Sequence, residues 1–381
     1  MKRGLSLQQA KKIAFSLNIS DLKFEQILQN VDEDVLLKNA APDGVCQIDP
    51  RQGTLVIYNP ARSRRLHAIS EKSGGTDNTP CPICEGATSN ILDLAEHSEG
   101  FTFINKNLYP MLLPVDVVPD EHPDYQLFED PLHKGRTSYG FHFLQWTSSL
   151  HDRDWHNMPF EDALVSFQRL AVLEETLVAQ PTDFMSQSRQ AKNGKVVSGY
   201  VSIIKNYGRT AGATLSHGHQ QIAYSNILPQ QFYNNLRFRQ RMSKSFSQYM
   251  IEENPPDLQV KDYGDVVLVV PYFMKRPLDM LLLVKDTGKR FLHQLGPGES
   301  EQVVLAMQEA IQAIIALMEN MGMTPAYNLT VNNGPGCGLY LEFLTKVQLM
   351  GGYEQIGLFV CQSNAAESAA QLREYFASRC W

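Results

Sequence analysis

The sequence predicts an α+β protein made of two similar halves preceded by a helical extension, and three observations carry that reading. Phe160, Leu164, Phe167, Leu170, Leu173 and Leu177 recur at helical spacing up to Ala179. A β-branched run from Tyr200 to Ile204, a glycine-containing segment and the extended stretch HGHQQIAY then follow. The same order returns later: a long amphipathic helix from Ser300 to Met323, then AYNLTVNNGPGCGLYLEFLTK, which reads as strand, glycine-rich loop and strand. Ahead of both, Leu5 to Asn39 reads as two amphipathic helices. Ser6 with Gln9 makes a capping box, and Ser20-Asp21 is a second start. Asn254-Pro255-Pro256 marks a boundary, so the expected division is a helical extension over 1–40, a first half over 41–254 and a second over 255–381.

Composition narrows the class. A chain of 381 residues can bury a large core, and a net charge of -7 argues against a broad nucleic-acid surface and for a small-molecule role. The opening residues MKRGLSLQQAKKIAFSLNIS are basic but lack an apolar core, and no apolar run reads as long enough to span a membrane. A cytoplasmic protein with no membrane partner is expected. Six cysteines do not suggest a disulfide scaffold; only Cys81 and Cys84 are closely paired.

The chemistry concentrates between Gly199 and Pro229. Lys205 to Ser216, with Gly208 and Gly212, reads as a loop where backbone can approach a ligand. In the extended stretch that follows, residues two apart share a face, so His217, His219 and Gln221 line one side of a site. A neutral imidazole nitrogen is a competent nucleophile at phosphorus, provided the other ring nitrogen keeps its proton on a fixed acceptor. An amide such as Gln221 can donate to phosphoryl oxygens without activating water.

Other segments supply candidates. QIDPRQGTLVIYNPARSRRLHAIS reads as a turn, a strand and a basic loop whose Arg62, Arg64 and Arg65 could clamp phosphates. Cys81-x-x-Cys84, after the lead SGGTDNTP, is half a zinc site or a redox pair, and any missing ligands must be histidines from elsewhere. FTFINKNLYPMLLP reads as a strand entering a proline-bounded turn, Gln180 to Ser198 as a surface loop, and Gln230 to Asn254 as a basic helical stretch. DVVLVVPYFMKRPLDMLLLVK reads as strand, turn and strand, and the chain closes on a capped helix from Asn364 to Arg379, with Glu367 completing the box.

The stretch KNYGRTAGATLSHGHQQIAYSNILP resembles the active-site segment of the galactose-1-phosphate uridylyltransferase family, the transferase branch of the histidine-triad superfamily. N-x-G-x-x-x-G is followed there by H-x-H-x-Q and a small apolar run ending in L-P. Hydrolase branches usually carry a third histidine where this chain has Gln221, so the resemblance implies transfer. It implies two tandem histidine-triad-like units, antiparallel sheets with flanking helices. One would be active and one degenerate, with Tyr340-Leu341-Glu342 standing where the first has His217-Gly218-His219.

The implied reaction is ping-pong nucleotidyl transfer from a nucleoside diphosphate-sugar, of ADP-glucose or UDP-hexose type, to phosphate or a sugar-1-phosphate. His219 would carry the nucleotide, the Gly218 carbonyl would hold its second N–H, and Gln221 would assist. Arg62, Arg65, Asn206, Gly212 and Thr214 would approach nucleotide or phosphate, with Asn107 and Tyr109 at base and ribose, or Asn105 if the register slips by two. Tyr353 and Glu354 would face the sugar or acceptor. Cys81, Cys84, His151 and His217 would hold one structural zinc, with His142 and His156 competing with His151. His293 is the only histidine after His219. That weighs against a second metal and moves the resemblance towards the ADP-glucose phosphorylase-like members. A dinucleoside-tetraphosphate phosphorylase or a zinc-stabilised nucleotide-binding pseudoenzyme are the alternatives, and a homodimer is possible.

Overall fold

The computed structural model describes residues 5–34, 37, 39–40, 42, 44–51, 53–59, 62, 81–88, 90–114, 135–178 and 199–379. Arg64, Arg65, the lead into Cys81 and the stretch 180–198 lie outside them.

The helices are α1 (Leu7–Ile13), α2 (Phe24–Asp32), α3 (Phe160–Val178), α4 (Gln230–Met242), α5 (Phe246–Glu253), α6 (Pro297–Asn320), α7 (Gly352–Gln355) and α8 (Ala365–Ala377). The strands are β1 (Val45–Ile48), β2 (Leu55–Ile57), β3 (Ile91–Glu96), β4 (Phe101–Lys106), β5 (Gly135–Thr137), β6 (Gly140–Trp146), β7 (Tyr200–Tyr207) and β8 (His219–Ser225) in the earlier part of the chain. The later part adds β9 (Gln259–Asp262), β10 (Val266–Val269), β11 (Met280–Val284), β12 (Tyr327–Asn332) and β13 (Tyr340–Thr345).

Residues group into two compact units interleaved along the chain. The first comprises 1–151, 169–202 and 221–233, the second 152–168, 203–220 and 234–381, so β7 and β8 each carry residues of both. The first contains the hydrogen-bonded run β3-β4-β6-β8 and a small sheet in the order β2-β1-β5; the second contains β7-β12-β13-β11-β10-β9. β4 pairs with β6, and β7 with β12, in antiparallel fashion.

The helical extension belongs to the first unit. Ser6 caps α1 with Gln9 in a reciprocal box. The second helix starts at Phe24, with Lys23 as its N-cap, not at Ser20-Asp21: Ile19–Asp21 is a separate 3-10 turn, because Asn18 caps it by accepting from the Ser20 N–H. Phe24 is buried edge-on against Phe141 and Tyr224. Ala14 bridges Ile91 in parallel, and the Leu94 N–H donates to the Leu17 carbonyl at 3.2 Å. The extension thereby occupies the hydrogen-bonding edge of β3, which otherwise invites pairing with another chain. Two ion pairs fasten it. Lys106 meets Asp34 at 2.7 Å and the Asn30 carbonyl at 2.9 Å. Arg169 bridges Asp93 and Asn18, while Asp93 also accepts from the Ile19 N–H at 2.9 Å.

In the second unit α6 begins on Pro297 with Glu299 accepting from the Gly296 N–H, and ends near Met321. By length and composition it is apolar enough to cross a membrane, contrary to the sequence expectation. Its Val303, Val304, Met307, Ala310, Ile311, Ile314 and Met318 are nevertheless buried within the protein, as in a core helix. The basic stretch after Pro229 is two helices, broken at Ser243, where φ is 58°. At the C-terminus Asn364 and Glu367 cap α8 as expected.

Asp279, buried before β11, accepts from the Thr345 N–H at 2.9 Å and meets Arg276 at 3.1 Å. Burial outweighs both partners and pushes its carboxyl from 3.8 up to about 6. The folded chain therefore binds this proton more tightly than the unfolded one. The resulting stability is full below the ordinary carboxyl value and is lost as pH rises through about 6. Asp279→Asn keeps the acceptor and removes the titration. In chemical denaturation at pH 4 to 7, the stability difference between wild type and variant should change by on the order of 3 kcal/mol.

Candidate active site and metal centre

His219 opens β8 and is 8% exposed. Its Nδ1 lies 2.8 Å from the His217 carbonyl. A carbonyl only accepts, so Nδ1 carries the proton and Nε2 presents its lone pair. The acceptor is the carbonyl of His217, not that of Gly218: the ring folds back onto its own backbone and closes on the group two residues earlier. Burial pushes the imidazole down to about 4, against the raising effect of the His217 carbonyl, and the nearby Lys205 charge lowers it further. At neutral pH the ring is uncharged and nucleophilic.

Lys205 does not open a loop. It lies within β7, which continues to Tyr207 because Lys205, Asn206 and Tyr207 pair with Leu329, Asn328 and Tyr327 of β12. The alternation of the strand turns Lys205 inwards with Val201 and Ile203, and its ammonium meets Asp154 at 2.7 Å. Burial alone would raise the Asp154 carboxyl, but Lys205 and the Trp155 N–H hold it below its ordinary value. Asn206 faces the other way, accepting from Asn328 at 2.8 Å; Asn328 also donates to the Ala211 carbonyl at 2.9 Å. Asn328 thus ties the tight turn Arg209–Ala211 to Asn206, with Gly212 at the end of the turn at φ 88°.

His142, weighed in the sequence as a metal ligand, instead joins two candidate residues. Its Nδ1 accepts from the Met111 N–H at 3.2 Å, which places the proton on Nε2, 3.1 Å from Gln221 Oε1. With its oxygen engaged, Gln221 keeps its NH2 group for other acceptors. On the same ring, Asn107 Nδ2 lies 3.3 Å from Nδ1, and Asn107 Oδ1 accepts from the Tyr109 N–H at 2.9 Å. The turn expected at base and ribose and the amide expected at phosphate therefore share one imidazole. Asn105 is spent inside the protein on Trp146 and Thr88.

Cys81, Cys84, His151 and His217 offer one ligand atom each, and those atoms all lie within 4.8 Å of one another. Cys84 Sγ is 3.5 Å from His151 Nδ1. With metal–ligand bonds of about 2.0–2.3 Å, a tetrahedron has edges of about 3.3–3.8 Å, so two thiols and two imidazoles at this spacing fit one ion. His156, the other competitor, packs edge-on against Tyr207 instead.

The remaining candidates are more scattered. The Arg62 Nε is buried without a partner among the described residues, and burial lowers its pKa. Arg65 lies outside the described residues. Thr214 is exposed, as is Tyr353 at 65%. Glu354 accepts from the backbone N–H groups of Gly351 and Val360 at 2.8 and 3.1 Å, within its own loop. Lys205, Asp154 and the linking role of His142 escaped sequence reasoning. Each takes its role from a partner distant in sequence, which leaves no local pattern to read.

No model of a known protein family matches the chain. It is 21% identical to ADP-glucose phosphorylase of Arabidopsis thaliana over 340 residues, 84% of this chain and 88% of that protein. Among solved structures, a uridylyltransferase superposes with a TM-score of 0.66 at 15% identity, covering 88% of this chain and 100% of the other. The Arabidopsis thaliana ADP-glucose phosphorylase with bound ADP-glucose gives 0.56 at 17%, covering 88% and 99%. The chain is thus similar in sequence to an ADP-glucose phosphorylase and in fold to the uridylyltransferases, the resemblance to the galactose-1-phosphate uridylyltransferase family that its H-G-H-Q-Q segment carries.

Proposed function

We propose that the protein is a nucleotidyltransferase of the nucleotide-sugar phosphorylase kind, with ADP-glucose as donor and phosphate or a sugar-1-phosphate as acceptor. The observation that carries this is the buried, uncharged His219 with its proton fixed on Nδ1. The sequence likeness to an ADP-glucose phosphorylase selects the donor class. His219 Nε2 attacks the α-phosphorus, an N–P bond forms, and the P–O bond to glucose 1-phosphate breaks. The nucleophile has no proton to lose, and the Nδ1–H of the charged adduct stays on the His217 carbonyl. A phosphate oxygen then attacks the same phosphorus, the N–P bond breaks, and ADP leaves with His219 neutral again. Gln221, oriented by His142, and Arg62 would carry phosphoryl charge, since such transfer depends on positioning and electrostatics.

Zinc is the ion we assign to the Cys81, Cys84, His151 and His217 cluster, as a brace for the segment leading into His219. Tandem histidine-triad-like units are part of the same reading. The earlier strands run β3-β4-β6-β8-β7 and the later ones β9-β10-β11-β13-β12, with α3 and α6 at matching points in the chain, which is the order a duplication would leave. So is a homodimer, supported by the exposed apolar segment of Leu349, Ile356, Leu358 and Val360. Among the described residues Cys46, Cys81, Cys84, Cys337 and Cys361 form no disulfide, which suits a reducing cytoplasm.

Metal analysis of the purified protein should give one zinc per chain, and His151→Ala should lower that to well below half while reducing the melting temperature. Mixed with ADP-glucose in the absence of acceptor, the protein should gain the mass of one AMP, in an acid-labile bond. Phosphate should then release it as ADP. His219→Asn should show no adduct and keep its zinc; turnover in that variant would refute the mechanism.

A further inference from the structure

We infer that the buried Lys205–Asp154 pair is the positioning element of the nucleophile segment, fixing the main chain of Gly218–Gln220 so that His219 closes on the His217 carbonyl. The inference rests on His219 being the nucleophile. The Lys205 ammonium contacts Asp154 Oδ2 at 2.7 Å and donates to the His219 carbonyl at 3.2 Å. A Cβ on Gly218 would lie 2.5 Å from Asp154 Cγ, so the main chain at this residue rests directly on the carboxylate. Trp155 Nε1 donates to Gln220 Oε1 at 3.2 Å. Three consecutive residues of the segment therefore touch the pair or its immediate neighbour.

The pair is itself anchored. Asp154 Oδ1 accepts from the Trp155 N–H and the Asp154 N–H donates to Asn157 Oδ1, both at 2.8 Å. Gln308 on α6 donates to the carbonyls of Trp155 and Met158 at 2.9 and 3.2 Å, and Gln312 to that of His156 at 2.8 Å. The long core helix thus sets the height of the turn carrying Asp154, and Lys205 passes that position to the His219 main chain. Both charged side chains are nearly buried, at 2% and 8% exposure. Apolar residues of similar volume in such a place are often as stabilising or more so, so stability alone does not account for the pair. What an ammonium offers there and a methylene chain does not is a directed donor shared between a fixed carboxylate and the carbonyl of the reacting residue.

A single substitution would leave one charge buried and unpaired, which strongly destabilises the fold. The decisive variant is Lys205→Met with Asp154→Leu, made in the zinc-loaded full chain. It should melt close to wild type, keep its metal and change KM for ADP-glucose by less than about threefold, while kcat falls by about a hundredfold. Lys205→Gln with Asp154→Asn restores a neutral donor and should recover about tenfold of that loss. Nitrogen-15 histidine spectra should show one Nδ1–H tautomer for His219 in wild type and a mixture in the Met/Leu variant. Wild-type kcat and a single tautomer in the Met/Leu variant, or no recovery in the Gln/Asn variant, would overturn the inference. Should wild type form no adduct with ADP-glucose, the transfer reading fails, and the tautomer spectra still decide whether the pair positions His219.

Discussion

The contact on which the site depends is the 2.8 Å hydrogen bond from His219 Nδ1 to the His217 carbonyl. It fixes which nitrogen is protonated, and hence which one can react. It also gives His217 two tasks, since its imidazole belongs to the Cys81, Cys84 and His151 cluster while its carbonyl orients the neighbouring ring. An ion at that cluster would restrain the residue whose backbone sets the tautomer. The glycine between the two histidines has its own physical reason: with the Asp154 carboxylate against its Cα, no larger residue fits.

As the proposed nucleophile, His219 is kept from water, and other polar groups are buried as well. Lys205, Asp154 and Gln220 in the second unit are buried polar residues, as are Asn107 and His142 in the first. Groups of this kind cost stability unless their hydrogen bonds are made. The networks through Met111, Trp155, Asn157 and the α6 glutamines supply them. The N-terminal extension does related work at the same end of β4 as Asn107. By pairing Lys106 with Asp34 it neutralises a buried charge one residue before the Asn107 turn. A segment that covers a strand edge thus also fixes the strand from which a nucleotide-binding turn is expected to emerge.

Period and motif made the framework legible. The helical spacing of Phe160 to Leu177 and the repeated strand–loop–strand order predicted α3, the start of β7, β8, α6, β12 and β13 closely, because burial on one face leaves a periodic trace. The cysteine pair and the H-x-H segment were legible because their chemistry requires fixed spacing. What escaped was whatever depends on a partner distant in sequence. Lys205 looked like the start of a glycine-rich loop because neither its pairing to Leu329 nor its carboxylate 51 positions earlier leaves a local mark. His142 looked like a spare metal ligand for the same reason: an imidazole is chemically ambiguous until its acceptors and donors are in place. The start of α2 was misplaced because Asn18 was available to cap a short turn first.

On the tandem reading, the later half shows what becomes of this architecture when the nucleophile is absent. Tyr340, where the earlier half has His217, is buried with its hydroxyl 3.2 Å from Asn235 Oδ1 and its ring against Phe246. Glu342, where the earlier half has His219, accepts from Asn332 Nδ2 at 3.0 Å and from Thr330 at 3.3 Å, and burial raises its pKa. Positions to which the proposed function gives a reactive role in the earlier half are given over to packing and internal hydrogen bonds here. Glu342 and the β12 residues that satisfy it lie on neighbouring strands, so this polar cluster needs no long-range support of the kind Lys205 and Asp154 provide. The cost of presenting a reactive imidazole falls on the earlier half. There the carboxylate that receives the buried ammonium must come from a turn before α3, and the long helix α6 holds that turn in place.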